Sequence, residues 1–182
     1  MTKTLLLTLL LILGATMAHA GAGSIGVFAD PAGMSCNLPD PGPQMTSYYV
    51  VHVFTTGAAA VQYSAPKPAC STALWLADEN MFPVTIGTSQ DGVAVGYGSC
   101  QVGTIHVQTI NYMTDGLTPD CCDYPLLPWP YDGMIRATDC NHEYWIPDPT
   151  GGRGIIKAGP ACNCDVPVEQ TTWGNVKALY AE

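Results

Sequence analysis

The chain has 182 residues, with 15 acidic residues against 6 basic ones and eight cysteines. So acidic a chain lacks the basic footprint that releases counterions from nucleic acid, and it is not drawn to anionic membrane surfaces. No stretch after the first twenty residues is long or apolar enough to form a transmembrane helix.

Residues 1–20 read as a signal peptide. Lys3 supplies a positive start, Leu5–Leu13 is an apolar run too short for a membrane span, and Ala18-His19-Ala20 has the small-x-small form of a cleavage site. Cleavage after Ala20 would leave residues 21–165 as one domain, followed by a tail at 166–182. The expected localisation is secreted, periplasmic or extracellular. All eight cysteines, Cys36, Cys70, Cys100, Cys121, Cys122, Cys140, Cys162 and Cys164, follow the cut. An even count in an exported chain predicts disulfides, although eight cysteines allow on the order of a hundred pairings.

In chain order, Ser24–Asp30 reads as a short strand, and the proline- and glycine-rich Pro31–Pro43 as a loop or an edge. Ser47–Thr56 is aromatic and β-branched and apolar on both parities, which predicts a central strand covered on both sides. Gly57 is read as a turn into a weaker strand at Ala58–Ala65. Leu74, Trp75 and Leu76 form a short apolar cluster. Phe82–Thr88 reads as a strand that Pro83 places at an edge or at a strand start, and Ser89-Gln90-Asp91-Gly92 as a turn.

The organising stretch is Gly92–Met113. Val93, Val95 and Tyr97 alternate with Ala94, Gly96 and Gly98, placing bulk on one face and almost nothing on the other. Ile105 and Val107 keep one parity, whereas Ile110 and Tyr112 take the other, as a β-bulge near Thr109 would produce. With a glycine-bounded turn at Gly98–Gly103, the stretch predicts a central β-hairpin.

Asp115–Asp132, with four prolines, predicts a long ordered loop pinned by Cys121 and Cys122. Gly133–Cys140, Glu143–Ile146 and Arg153–Lys157 follow as strands. Trp173, Val176 and Tyr180 share a helical stripe in the tail, too short to be stable unless docked. The expected architecture is an all-β, disulfide-bonded, Ig-like β-sandwich with a short C-terminal helix.

Several chemistries were weighed on residue type and spacing. Cys162-x-Cys164, Cys121-Cys122 and Cys140-x-His142 lack the spacing of common zinc sites, and exported thiols oxidise. Aspartates at 115, 120, 123, 132, 139 and 148 lie in loops where calcium is conceivable, but the sequence has no helix-loop-helix calcium motif. No G-x-S-x-G elbow is present, and His52 and His106 sit in strands without an indicated nucleophile. Trp129, Tyr131, Tyr144 and Trp145 lie in or beside proline-rich loops, where exposed aromatics suit stacking on a sugar or an interface anchor; packing beneath the loop is the alternative use.

The segments YVVHVFTTGA (49–58), GVAVGYGSC (92–100) and VPVEQTTWGNVKALY (166–180) resemble a group of exported bacterial β-domain proteins that share such a tail. The resemblance implies export, a shared domain and a docking or sorting role for the tail. It implies no chemistry. The reading is a non-catalytic binding or surface-structural module without a required cofactor, whose partner would be an extracellular protein or a glycan. A calcium-dependent or hydrolytic domain and a tail-docked subunit of an extracellular assembly are the alternatives.

Overall fold

The computed structural model describes residues 23–141, 144–145 and 152–164. The signal-peptide region and the expected tail helix lie outside them. Among the described residues the fold is all-β: β1 (Ser24–Phe28), β2 (Asn37–Leu38), β3 (Pro43–Tyr63), β4 (Leu74–Asn80), β5 (Val84–Thr88), β6 (Gly92–Asp115), β7 (Cys122–Pro125), β8 (Arg136–Thr138), β9 (Tyr144–Trp145) and β10 (Arg153–Ile156). No helix among them is long and apolar enough to cross a membrane.

The architecture turns on β3 and β6, which run antiparallel beside each other from Pro43↔Asp115 to Tyr63↔Val93. Gly92–Met113 is therefore central, as expected, but it is not a hairpin. It belongs to one continuous strand, and its partner β3 likewise runs straight past Gly57. Gly98 and Gly103 do take positive φ, yet they serve register shifts opposite Thr55–Ala60 and do not reverse the chain. Phe54, also at positive φ, lies in the same irregular zone. The expected bulge near Thr109 is present two residues earlier, where Val50 faces Gln108 and Val51 faces His106.

At this corner the ribbon folds over itself. Its first leaf comprises β1, Pro43–Val53 of β3, Ile105–Asp115 of β6, and β4. The second comprises β5, Gly92–Gly96 of β6, Ala60–Tyr63 of β3, β8 and β9. Tyr63 in the second leaf donates from Oη to Gln108 Oε1 in the first at 3.1 Å, and His52 Nδ1 of the first leaf meets Tyr97 Oη of the second at 3.2 Å. The two leaves are thus the two layers of a β-sandwich, although hydrogen bonding makes them one sheet. Tyr48, Val50, Tyr63, Val93, Val95, Val107, Ile110 and Tyr112 fill the space between.

A three-stranded sheet, β2-β10-β7, closes one side. Gly152, just before β10, bridges to β1 so tightly that a Cβ on Gly26 would lie 2.9 Å from Gly152 Cα. Both short strands flanking β10 fall in stretches expected to be loops. β2 fits the loop-or-edge expectation, whereas β7 was not expected; Pro125 is tolerated there because β7 pairs on one side only. β4 takes in the apolar cluster at Leu74–Leu76 but is mostly exposed, and LWLADEN carries no apolar alternation that marks it as a strand.

Every cysteine is paired: Cys36–Cys164, Cys70–Cys122, Cys100–Cys140 and Cys121–Cys162. The adjacent Cys121 and Cys122 serve different partners, with Cys121 in the left-handed region. Cys100–Cys140 crosses the corner of the ribbon above Gly57, where an added Cβ would stand 2.9 Å from Cys140 Sγ. Each bridge contributes about 2–4 kcal/mol, largely by restricting the unfolded chain.

Candidate binding surface

In β6 the large side chains Val93, Val95 and Tyr97 point into the core and are buried. Period-two geometry sends Ala94 and Gly96 to the outer face of the second leaf. Ala60 of β3 lies beside them, paired with Gly96. These small residues form the floor of a shallow groove of about 150 Å³. Val84 and Ile86 of the edge strand β5 form one wall, with Ile86 69 % exposed; Gln62, Arg136 and Thr138 form the other. A second hollow, beside Gly98, Ser99 and the Cys100–Cys140 bridge, shares Ala60 and Thr138 with the first. The outer face of the second leaf is therefore a continuous depression with an apolar side and a polar side.

The loop carrying Trp129 and Tyr131 stands at one end of this face. Asp132 ties it down: its Oδ2 accepts from Gln62 Nε2 at 2.6 Å and pairs with Arg136 Nε at 3.3 Å. Trp129 is half-buried, and its indole lies so close over Gly92 that a Cβ there would meet it at 2.3 Å. Tyr131 is 85 % exposed and packs edge-on against Trp129, with ring centroids 5.2 Å apart. The two expected site aromatics are thus together but differ in kind: Trp129 anchors the loop and Tyr131 faces solvent. Tyr144 and Trp145 form β9, whose backbone pairs with Thr138 and Ala137 of β8; β8 separates them from β3.

The other candidate chemistries do not assemble among the described residues. Asp115 accepts from Thr72 Oγ1 and Leu117 N, Asp120 pairs with Lys157, Asp123 with Arg153, and Asp139 accepts from Asn141 N. They are held apart by separate partners, and among the described residues no group of three or more His, Cys, Asp or Glu is arranged to hold a metal ion. Asp148 lies outside the described residues. The thiolate-zinc arrangement is replaced by disulfides. His52 and His106 are near neighbours in sequence register but project to opposite faces: His52 is buried against Tyr97, whereas His106 faces Tyr49 and Thr109. Burial holds the His106 imidazole below its ordinary pKa. Ser99 Oγ accepts from Gln101 Nε2 at 2.8 Å, on the exposed stretch between Gly98 and Gly103.

The core tyrosines are structural. Tyr112 Oη and Tyr124 Oη lie 2.8 Å apart, Tyr124 Oη donates to Ala65 O, and Tyr48 Oη donates to Pro39 O. Burial pushes the Tyr112 hydroxyl up to about 12 and holds those of Tyr48, Tyr63, Tyr97 and Tyr124 well above their ordinary value. They stay neutral at any physiological pH, fixed as hydrogen-bonding core residues.

No protein-family model matches the chain, and no curated protein sequence does. Among solved structures, a cohesin module from the family 33 glycoside hydrolase of Clostridium perfringens ATCC13124 is similar, with a TM-score of 0.51 and 5 % identity, covering 76 % of this chain and 99 % of its own. The sixth cohesin of Acetivibrio cellulolyticus scaffoldin B, solved in complex with a Cel5 dockerin mutant, covers 75 % of this chain and 98 % of its own, with a TM-score of 0.47 and 6 % identity. The likeness to the first is one of fold: the two chains share a β-sandwich architecture.

Proposed function

We propose that this chain is a non-catalytic, exported protein-binding module that engages a folded partner through the outer face of β5, β6, β3 and β8. The observation that carries the reading is the small-residue floor of Ala60, Ala94 and Gly96, lying open between exposed Val84 and Ile86 and the polar Gln62, Arg136 and Thr138. A soluble domain gains nothing from exposing that apolar wall unless something covers it. The flat floor suits a compact apolar surface backed by polar groups that meet Arg136 and Gln62. Tyr131, at the end of the same face, is placed to act as an aromatic anchor at its rim. The fold shared with a cohesin module supports a binding role over a catalytic one. The fully paired cysteines support an oxidising compartment.

The test is affinity capture from the medium of the native host, comparing wild type with Ala94→Arg and Ile86→Asp. The expected result is one protein retained in stoichiometric amount by wild type and lost with either substitution, while melting temperatures stay close to wild type. Equal retention by all three proteins would contradict the assignment of this face.

A further inference from the structure

A second apolar area lies on the opposite side of the sandwich. On the first leaf, Met45 of β3 pairs with Met113 of β6, which pairs in turn with Leu74 of β4. The row crosses three neighbouring strands, and Met45 and Leu74 are each 65 % exposed. Three large apolar side chains in one cross-strand row form a patch, unlike the scattered apolar residues that any surface carries.

The position of Cys164 indicates what covers it. Cys164 is bonded to Cys36, and it packs against the cluster of Phe28, Val51 and Val53 on the outer side of this same leaf. The last described residue before the tail, Cys164, therefore lies on the first leaf and not on the second. From Val51 the row is six residues along β3 and two strands across, roughly 20 Å by 10 Å. The eight residues before Trp173, 165–172, span roughly 27 Å when extended, enough to bring the stripe to the row. The tail brings matching chemistry, since Trp173, Val176 and Tyr180 recur at helical spacing with Leu179 beside them.

We propose that residues 165–182 fold back over the first leaf of their own chain and seat the Trp173–Tyr180 stripe on Met45, Met113 and Leu74. The tail then shields the apolar face nearest its exit and leaves the face of the second leaf free. This assignment does not depend on what the second leaf binds.

Methionine oxidation by dilute peroxide reads the contact directly, because Met134, 38 % exposed and beside the second leaf, serves as the internal reference. Three proteins are compared by peptide mass spectrometry: residues 21–182, residues 21–164, and 21–182 with Trp173→Asp. In the longest chain Met45 and Met113 are expected to oxidise several-fold more slowly than in residues 21–164, with Met134 unchanged and Trp173→Asp resembling the short chain. All eight cysteines remain in residues 21–164, and an unchanged melting transition for that chain excludes misfolding as the cause. Equal oxidation rates in the long and short chains would overturn the proposal. Protection that grows with protein concentration would also overturn it, by assigning the covering tail to a second copy.

Discussion

Tyr63 and Gln108 meet across the interior at 3.1 Å although they belong to opposite ends of one folded ribbon. Gln108 also donates from Nε2 to Asn80 Oδ1 on β4, so its amide ties the two leaves and an edge strand at one point. Tyr63→Phe removes the donor and leaves a buried carbonyl oxygen unpaired. The expected loss is about 1–3 kcal/mol in urea unfolding, with the denaturant slope unchanged. A loss near zero would mean that this contact does not hold the leaves together.

Gly57 lies under the Cys100–Cys140 bridge, and the atom that a new Cβ would strike is a sulfur held at both ends. Gly57→Ala is therefore expected to cost about 1–3 kcal/mol through overpacking. The cost should shrink in Gly57→Ala combined with Cys100→Ala and Cys140→Ala, measured against the bridge-free parent. Unchanged additivity would place the strain elsewhere.

The buried tyrosines predict the alkaline limit of the fold. Their hydroxyls titrate above the ordinary value of 10.0 in the folded protein, Tyr112 at about 12. The folded state thus holds protons that the unfolded chain releases, so stability is intact below pH 10 and falls as pH rises above it. Absorbance titration is expected to show these tyrosines ionising together with unfolding. A smooth, complete titration near pH 10 with native circular dichroism would contradict their burial.

His106 acts at the other limit. Its folded pKa is depressed by burial, so its contribution is present above the unfolded value near 6.5 and is lost as pH falls below that value. His106→Gln should flatten part of the decline in melting temperature between pH 7.5 and roughly 5. A parallel decline in both proteins would assign the acid sensitivity to other groups.

Trp129 and Tyr131 separate packing from recognition. Trp129→Ala exposes the Gly92 turn and is expected to lower the melting temperature, whereas Tyr131→Ala should leave it unchanged and weaken partner capture. The reverse pattern would exchange their roles.

The legibility of this fold varied from segment to segment. The burial of Val93, Val95 and Tyr97, the covering of both faces at Val50–Val53 and the phase slip near Thr109 follow from side-chain periodicity, which is a local property, whereas Phe54, expected on a covered face, is exposed where the ribbon turns irregular. The hairpin reading of Gly92–Met113 failed because a glycine at positive φ serves a turn and a bulge equally well; only the partner strand decides which. β4 escaped notice because an edge strand facing solvent has no apolar alternation to display. The small outer face of Ala94 and Gly96 is visible as a pattern, but a covering sheet or helix would give the same pattern, so its exposure is a tertiary fact. The cysteine pairings depend on the folding of the ribbon and are likewise not local.

The outer face of the second leaf exists only if the ribbon folds at its corner, and Cys100–Cys140 is the covalent record of that fold. Peptide mapping of the unreduced protein by mass spectrometry tests this most directly. The account expects the peptide containing Cys100 to be joined to the one containing Cys140, with no free thiol. Cys100 found free, or joined to a cysteine other than Cys140, would contradict the folded ribbon and its outer face together.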